Sequence, residues 1–307
     1  MDLRVFVEPQ QGNSYAQQSR FAQAAEAAGY GAFFRSDHFL RMGGGSPLPG
    51  PTESWTTLAG IALETSRIRL GTLVTSATFR HPGVLAIQVA QVDDMSGGRV
   101  DFGFGAGWFE TEHTAYGLPF PGVGERFDRL EEQLEIITNL WTTPGGYSFS
   151  GRHYQVVDSP GLPKPVQERV PVIIGGIGKK RTPELTAKYA TEFNVPFKPF
   201  DDTVAAHRRA REACEQIGRD PSSLTLSVAL TLNTGKDEAQ IAARAAKVGR
   251  DVAELREIQL GGSPAEIVDK LGRYAEHGVT RAYFQVLDLD DLEHIEYAAA
   301  EIMPQLA

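Results

Sequence analysis

The chain has 307 residues, 41% of them hydrophobic, and a formal net charge of −9. That length buries a large core and suits one (β/α)8 barrel as well as two domains, while the acidic balance argues against nucleic-acid binding or adhesion to an anionic membrane. No apolar run is long enough to span a bilayer, and the single Cys214 lacks an internal partner, so a cytoplasmic protein is the simple expectation.

The sequence opens directly on a strand, Leu3 to Glu8, which is not the pattern of a signal peptide. Asn13 or Ser14 can cap a helix with Phe21, Ala24, Ala25 and Ala28 on its apolar face, ending at Gly29. Gly31 to Arg35 is a second strand, running straight into Ser36-Asp37-His38-Phe39 and a loop rich in glycine and proline. Trp55 to Glu64 reads as helix. The stretch from Ile68 to Phe109 organises the rest. Ile68 to Thr75 is a short β-branched strand broken by Gly71. Pro82 suits the first turn of a helix that runs to Met95 and stops at Ser96-Gly97-Gly98. Val100 to Phe104 is another buried strand and ends in Gly103-Phe104-Gly105-Ala106-Gly107-Trp108. Two apolar strands joined by one helix form a βαβ unit with parallel strands, whose functional loops lie at the carboxyl ends.

Past Trp108 the alternation loosens. Glu110 to Pro121 is a loop or short helix, Glu125 to Trp141 a long amphipathic helix, and Thr142 to Arg169 a loop or hairpin long enough to imply function. Val170 to Ile174 is a strand opening into Gly175-Gly176-Ile177-Gly178-Lys179-Lys180-Arg181, with Thr182 as N-cap and Pro183 as first helical residue. Then follow a strand at Glu192 to Val195, a helix at Asp201 to Ile217 and a strand at Leu224 to Leu232. A helical excursion covers Lys236 to Leu255, and a helix runs from Ser263-Pro264 to Gly278. Arg281 to Leu287 is the last strand and Asp290 to Met303 the last helix. About eight strands alternate with helices, which predicts a single (β/α)8 TIM barrel over residues 1–307, with insertions near 109–169 and 235–262.

Chemistry concentrates at the predicted strand ends. Asp37-His38 pairs a histidine with a carboxylate, able to move a proton near neutrality, or is a capped turn with a satisfied histidine. Glu8 faces the same mouth, as a substrate or proton group or as a salt-bridge partner. Gly103 to Trp108 lacks the third glycine of a dinucleotide fingerprint; it is a tight loop beneath a planar ligand, or a turn that needs glycine backbone angles. Gly175 to Thr182 offers a glycine loop, the cations Lys179, Lys180 and Arg181, and a helix N-terminus, which together attract phosphate. It does not match the Walker A spacing. His38, His81, His113 and His153 are scattered, and no metal-ligand motif or serine-nucleophile elbow is present, so no metal site is expected.

Several ordered motifs resemble the bacterial luciferase-like superfamily, and within it the actinobacterial oxidoreductases that use the deazaflavin coenzyme F420. They are Phe34-Arg35-Ser36-Asp37-His38-Phe39, Ile68-Arg69-Leu70-Gly71-Thr72, Thr78-Phe79-Arg80-His81-Pro82 and Gly98-Arg99-Val100 through Trp108. Glu125-Arg126-Phe127, Gly151-Arg152-His153-Tyr154 and Pro171-Val172-Ile173-Ile174-Gly175-Gly176 complete the set. The resemblance implies a (β/α)8 barrel with an isoalloxazine-like ring at the carboxyl-end mouth. The ring would rest on a strand-end bulge at Leu73-Val74-Thr75, often carrying a non-prolyl cis peptide in this family. The phosphate-bearing tail would lie on Gly105-Ala106-Gly107 and on Gly175-Gly176-Ile177-Gly178 with Lys179. Asp37 and His38 would stand at the reactive edge of the ring.

Two positions depart from the family's sugar-phosphate dehydrogenases. Trp108 stands where they carry an acid, and Met42 where they carry a tryptophan. This points away from glucose 6-phosphate and leaves Glu110, Glu112 and His113 as displaced candidates for the acid. The expectation is an F420-dependent oxidoreductase, exchanging a hydride between the deazaflavin C5 and a small organic substrate such as an enone, imine, alcohol or ketone. His38 would be the proton donor or acceptor and Glu8 the second candidate, with Trp108, Phe79 and Met42 lining an apolar substrate pocket. Alternatives are an FMN-dependent two-component monooxygenase and a non-catalytic flavin- or deazaflavin-binding protein. A homodimer is expected from the resemblance.

Overall fold

The computed structural model describes residues 1–46 and 48–306. Eight parallel strands close into a barrel: β1 (Asp2–Val7), β2 (Ala32–Arg35), β3 (Arg69–Thr72), β4 (Val100–Gly105), β5 (Val172–Gly175), β6 (Glu192–Pro196), β7 (Thr225–Thr234) and β8 (Val279–Val286). The circle closes through Asp2 beside Arg281 on one flank of β1 and Val5 beside Phe33 on the other. β6 and β7 complete it, with Thr225 beside Glu192. The chain is a (β/α)8 TIM barrel. Its strands are almost wholly buried, as parallel strands covered by helices on the outside must be.

Helices α1 (Tyr15–Ala27), α2 (Ser54–Glu64) and α3 (Pro82–Ser96) follow the first three strands. Ser14, rather than Asn13, caps α1 and forms a reciprocal capping box with Gln17. α4 (Glu110–Tyr116) and α5 (Val123–Thr142) follow β4, and an antiparallel hairpin, Tyr147–Ser150 with Gln155–Ser159, fills the long excursion before β5. α6 (Arg181–Tyr189) and α7 (Phe200–Gln216) follow β5 and β6. The excursion after β7 resolves into two helices, α8 (Glu238–Lys247) and α9 (Val252–Ile258), and a short strand, Leu260–Gly262, beside β7. α10 (Pro264–Glu276) and α11 (Leu292–Glu301) complete the ring.

Two local readings change. The strand predicted over Ile68 to Thr75 is interrupted: β3 stops at Thr72, the Leu73–Val74 peptide is cis, and Thr75–Ser76 resumes pairing with β4. Thr182 does not cap α6. The helix already starts at Arg181, and Lys180 occupies the cap position with no side-chain cap bond, so Thr182 and Pro183 lie inside the first turn. Thr182 turns instead toward the Gly178 loop, where its Oγ1 occupies the space that a Gly178 side chain would need.

A network of charges closes the amino end of the barrel. Arg4 binds Asp101 at 2.6 Å and Asp2 at 2.9 Å, Arg69 binds Asp101, and Arg281 binds Asp2 at 2.8 Å. Arg281 and Tyr283 both engage Glu192. Above it Phe6, Phe34, Ile173, Ala229 and Tyr283 pack into an apolar plug on which Leu73 and Phe197 rest. Among the described residues, no helix is long and apolar enough to cross a membrane.

Candidate active site

A cleft of about 650 Å³ opens at the carboxyl ends of the strands, within the size range of small-molecule and cofactor sites. Its bed is the Leu73–Val74 bulge. Glycines on β4 make room for it: a Cβ on Gly105 would lie 2.8 Å from Val74 Cγ2, and one on Gly103 3.1 Å from Val74 Cγ1. Backbone therefore replaces side chain on the neighbouring strand, and Val74 stands up into the cleft.

One wall carries Glu8 and His38. Glu8 follows β1 and His38 follows β2, and both line the cleft. Burial pushes the Glu8 carboxyl above the ordinary carboxylate range, against the opposing fields of His38 and Arg250. Asp37 also lines the cleft, yet its carboxylate does not pair with His38. It is held by Arg80, at 2.5 Å and 3.1 Å. Burial alone would raise it, but the Arg80 and Arg35 charges hold it below the usual range, so it is a fixed anion. The carboxylate on His38 comes from far along the chain: Glu112 Oε1 lies 2.8 Å from His38 Nδ1. Of the displaced acid candidates, Glu112 is the one that lines the cleft. Glu110 is exposed, and His113 is engaged by Thr78 and the Phe109 carbonyl.

The opposite wall is the two glycine loops. Gly105, Ala106 and Gly107 line the cleft, as do Gly175, Gly176, Ile177 and Gly178 with Thr182 at the start of α6. Thr182 brings a hydroxyl and the start of α6 beside the second glycine loop, a chemistry that suits an anion. The cations there differ from the sequence reading. Arg181 turns to α5 and binds Asp128 at 2.8 Å and Glu131 at 3.1 Å. Lys179 and Lys180 are exposed and lie outside the lining. Lys198, just past β6, lines the cleft and has no ion-pair partner among the described residues. Sequence reasoning missed it, although its place after a strand end was a usable signal.

The apolar lining is also rebuilt. Trp108 stands at the rim, 65% exposed, edge-on to His38. Phe79 stacks on Phe39 and His113, with ring centroids 4.5 and 5.0 Å away, and it and Met42 fall outside the lining. Thr75 is buried behind the bulge, bonded to Thr72 and Trp55. Phe6, Leu73, Val74, Phe127, Pro196 and Phe197 line the cleft instead. Phe6 was findable, two residues before Glu8 and so on the same face of β1. Phe197 was not, because it depends on a left-handed backbone (φ 51°) that its sequence does not announce.

A deazaflavin or flavin fits these residues. The wall carries one unpartnered buried acceptor, Asn194 Oδ1, whose amide group donates to Ser227 at 2.9 Å. A ring N–H would satisfy that oxygen, and an unsatisfied buried acceptor otherwise costs about 1–3 kcal/mol. Among the described residues no cluster of His, Cys, Asp and Glu is arranged to hold a metal.

Known proteins resemble this chain in sequence and in fold. An F420-dependent glucose-6-phosphate dehydrogenase of Amycolatopsis mediterranei is 36% identical over 174 residues, covering 55% of this chain and 49% of that protein. The chain thus spans about half the length of that relative. The pyrimidine monooxygenase RutA of Stutzerimonas stutzeri is 32% identical over 235 residues, 72% of this chain and 61% of that one. An F420-dependent secondary alcohol dehydrogenase, solved with an F420–acetone adduct, superposes with a TM-score of 0.84 over 100% of this chain and 99% of that one, at 18% identity, and so shares the fold. The luciferase-like monooxygenase family profile matches residues 1–256, and the chain belongs to that family.

Proposed function

We propose that this protein is an F420-dependent oxidoreductase acting on a small, largely apolar organic molecule. The observation that carries the reading is one continuous cleft lined by the Leu73–Val74 bulge, both glycine loops, Glu8 and His38. When bound, the deazaflavin supplies the hydride chemistry at its C5, and the protein supplies the rest. Leu73 and Val74 would support the ring from below, Asn194 Oδ1 would accept from its edge, and the Gly105–Gly107 and Gly175–Gly178 loops would hold the phosphate-bearing tail. Lys179 and Lys180, exposed beside the second loop, favour a long anionic tail that leaves the cleft. His38 gives or takes the proton that accompanies hydride exchange, with Glu8 as the second proton group. Phe6 and Phe197 exclude water from the reacting atoms. Trp108 in place of an acid favours enones, imines or ketones over sugar phosphates.

An FMN-dependent two-component monooxygenase is the second reading, supported by the pyrimidine monooxygenase relative. Fluorescence titration of the apoprotein with F420 and with FMN separates the two. Micromolar F420 binding with weak FMN binding is expected; the reverse order transfers the assignment to the monooxygenase.

A further inference from the structure

The His38 imidazole is gripped from one side. Its Nδ1 lies 2.8 Å from Glu112 Oε1, and Glu112 Oε2 accepts the neighbouring Phe39 N–H at 2.8 Å. Glu112 is 1% exposed and sits in the first turn of α4, so both oxygens are held in place. Trp108 and Phe109 stand edge-on to the imidazole, at 5.8 and 6.2 Å between centroids, and restrict its rotation. The other charged and titratable neighbours are differently placed. Glu8 lines the cleft without an ion-pair partner among the described residues, under the field of Arg250. Asp37 is bound to Arg80, and His113 is bound to Thr78 and the Phe109 carbonyl. An ionised carboxylate only accepts hydrogen bonds. Its bond therefore keeps a proton on Nδ1 whenever the ring is neutral and leaves the lone pair on Nε2.

We propose that Glu112 is the positioning residue of the site: it selects the Nδ1–H tautomer of His38 and so makes Nε2 the atom that exchanges a proton with substrate. This rests on His38 being the proton-handling group. In the reductive direction the imidazolium gives its Nε2 proton to the substrate oxygen, nitrogen or carbon that becomes basic as hydride from reduced F420 adds to the substrate. The ring is left neutral with its Nδ1–H intact. In the oxidative direction the neutral ring would take the substrate proton at Nε2 as the substrate's hydride leaves for the bound oxidised deazaflavin. The sequence hid this arrangement because the carboxylate adjacent to His38 is Asp37, while the one that reaches it is 74 residues away.

The test is the nitrogen spectrum of histidine-labelled apoprotein, with the His38 signals assigned by their loss in His38→Ala. Wild type is expected to show neutral His38 as the Nδ1–H tautomer alone. Glu112→Gln cannot accept with two separate oxygens, and is expected to show a mixed or inverted tautomer. Its turnover should fall roughly a hundredfold while F420 affinity stays within about threefold, with part of the turnover regained in Glu112→Asp. An Nε2–H tautomer in wild type, an unchanged tautomer in Glu112→Gln, or equal losses of turnover and F420 affinity would each overturn the proposal. The tautomer is read without cofactor. Failure of the F420 reading therefore shows as absent turnover in wild type, and failure of the positioning role shows in the spectrum.

Discussion

At the amino end of the barrel Asp2, Arg4, Arg69, Asp101, Glu192, Arg281 and Tyr283 bind one another in a closed network. At the carboxyl end Glu8 and Lys198 have no ion-pair partner among the described residues, and Asn194 Oδ1 is buried without a donor. The two ends draw on the same strands. Arg4 lies within β1 and Glu8 directly follows it, and Glu192 and Asn194 are two residues apart on β6. Burial of charge is tolerated at the first end because every charge is paired. At the second, these groups line the cleft without such partners, which is where the proposed function places the ligand.

Substitutions at the two ends should therefore separate activity from stability. The largest effect is expected from His38→Ala: turnover falls roughly 10²- to 10⁴-fold, while the thermal midpoint and F420 affinity hold. Steady-state kinetics beside a binding titration check this. Asp101→Ala should do the opposite. Removing one member of a buried pair costs about 3–5 kcal/mol, read as a lowered denaturant midpoint with turnover per folded molecule unchanged. Gly105→Ala lies between the two. Its Cβ would meet Val74 at 2.8 Å, and overpacking of this kind costs about 1–3 kcal/mol. Because the displaced residue is the bed of the cleft, F420 affinity should fall along with stability, as calorimetry and titration would show.

The smallest effect is in pH dependence, where the two ends should have opposite signs. Burial raises the folded-state pKa of Glu8, so its contribution to stability is present below its unfolded value and lost as pH rises through the folded one. Asp2 is also subject to burial, but Arg4 and Arg281 outweigh it and lower its pKa. Its contribution is present above the unfolded value and lost as pH falls through the folded one. Glu8→Gln should thus stabilise the protein near neutrality, and Asp2→Asn should flatten the acid limb. Thermal midpoints across pH would show whether the signs differ.

The barrel itself was legible because parallel buried strands leave an apolar, β-branched trace, as in Val100 to Phe104 and Val170 to Ile174, and because Pro82, Gly97 and Ser263 punctuate the helices. The glycine loops and the Leu73–Val74 bulge were legible through the family resemblance. Long-range pairing was not. Nothing local to Asp37-His38 says that Arg80 takes the aspartate and Glu112 the histidine, or that Arg181 turns away to Asp128. The amino-end network escaped notice for the same reason. Arg4, Asp101 and Arg281 look like ordinary strand-end charges until the barrel closes and brings them together.

The most direct test of the central claim is anaerobic mixing of the protein and reduced F420 with a panel of enones, imines and ketones, following the absorbance of the oxidised cofactor. The absorbance is expected to return with at least one of these substrates in the absence of oxygen, and His38→Ala is expected to slow the return without weakening F420 binding. Return only when oxygen is admitted, or substrate turnover only with reduced FMN, would contradict that claim.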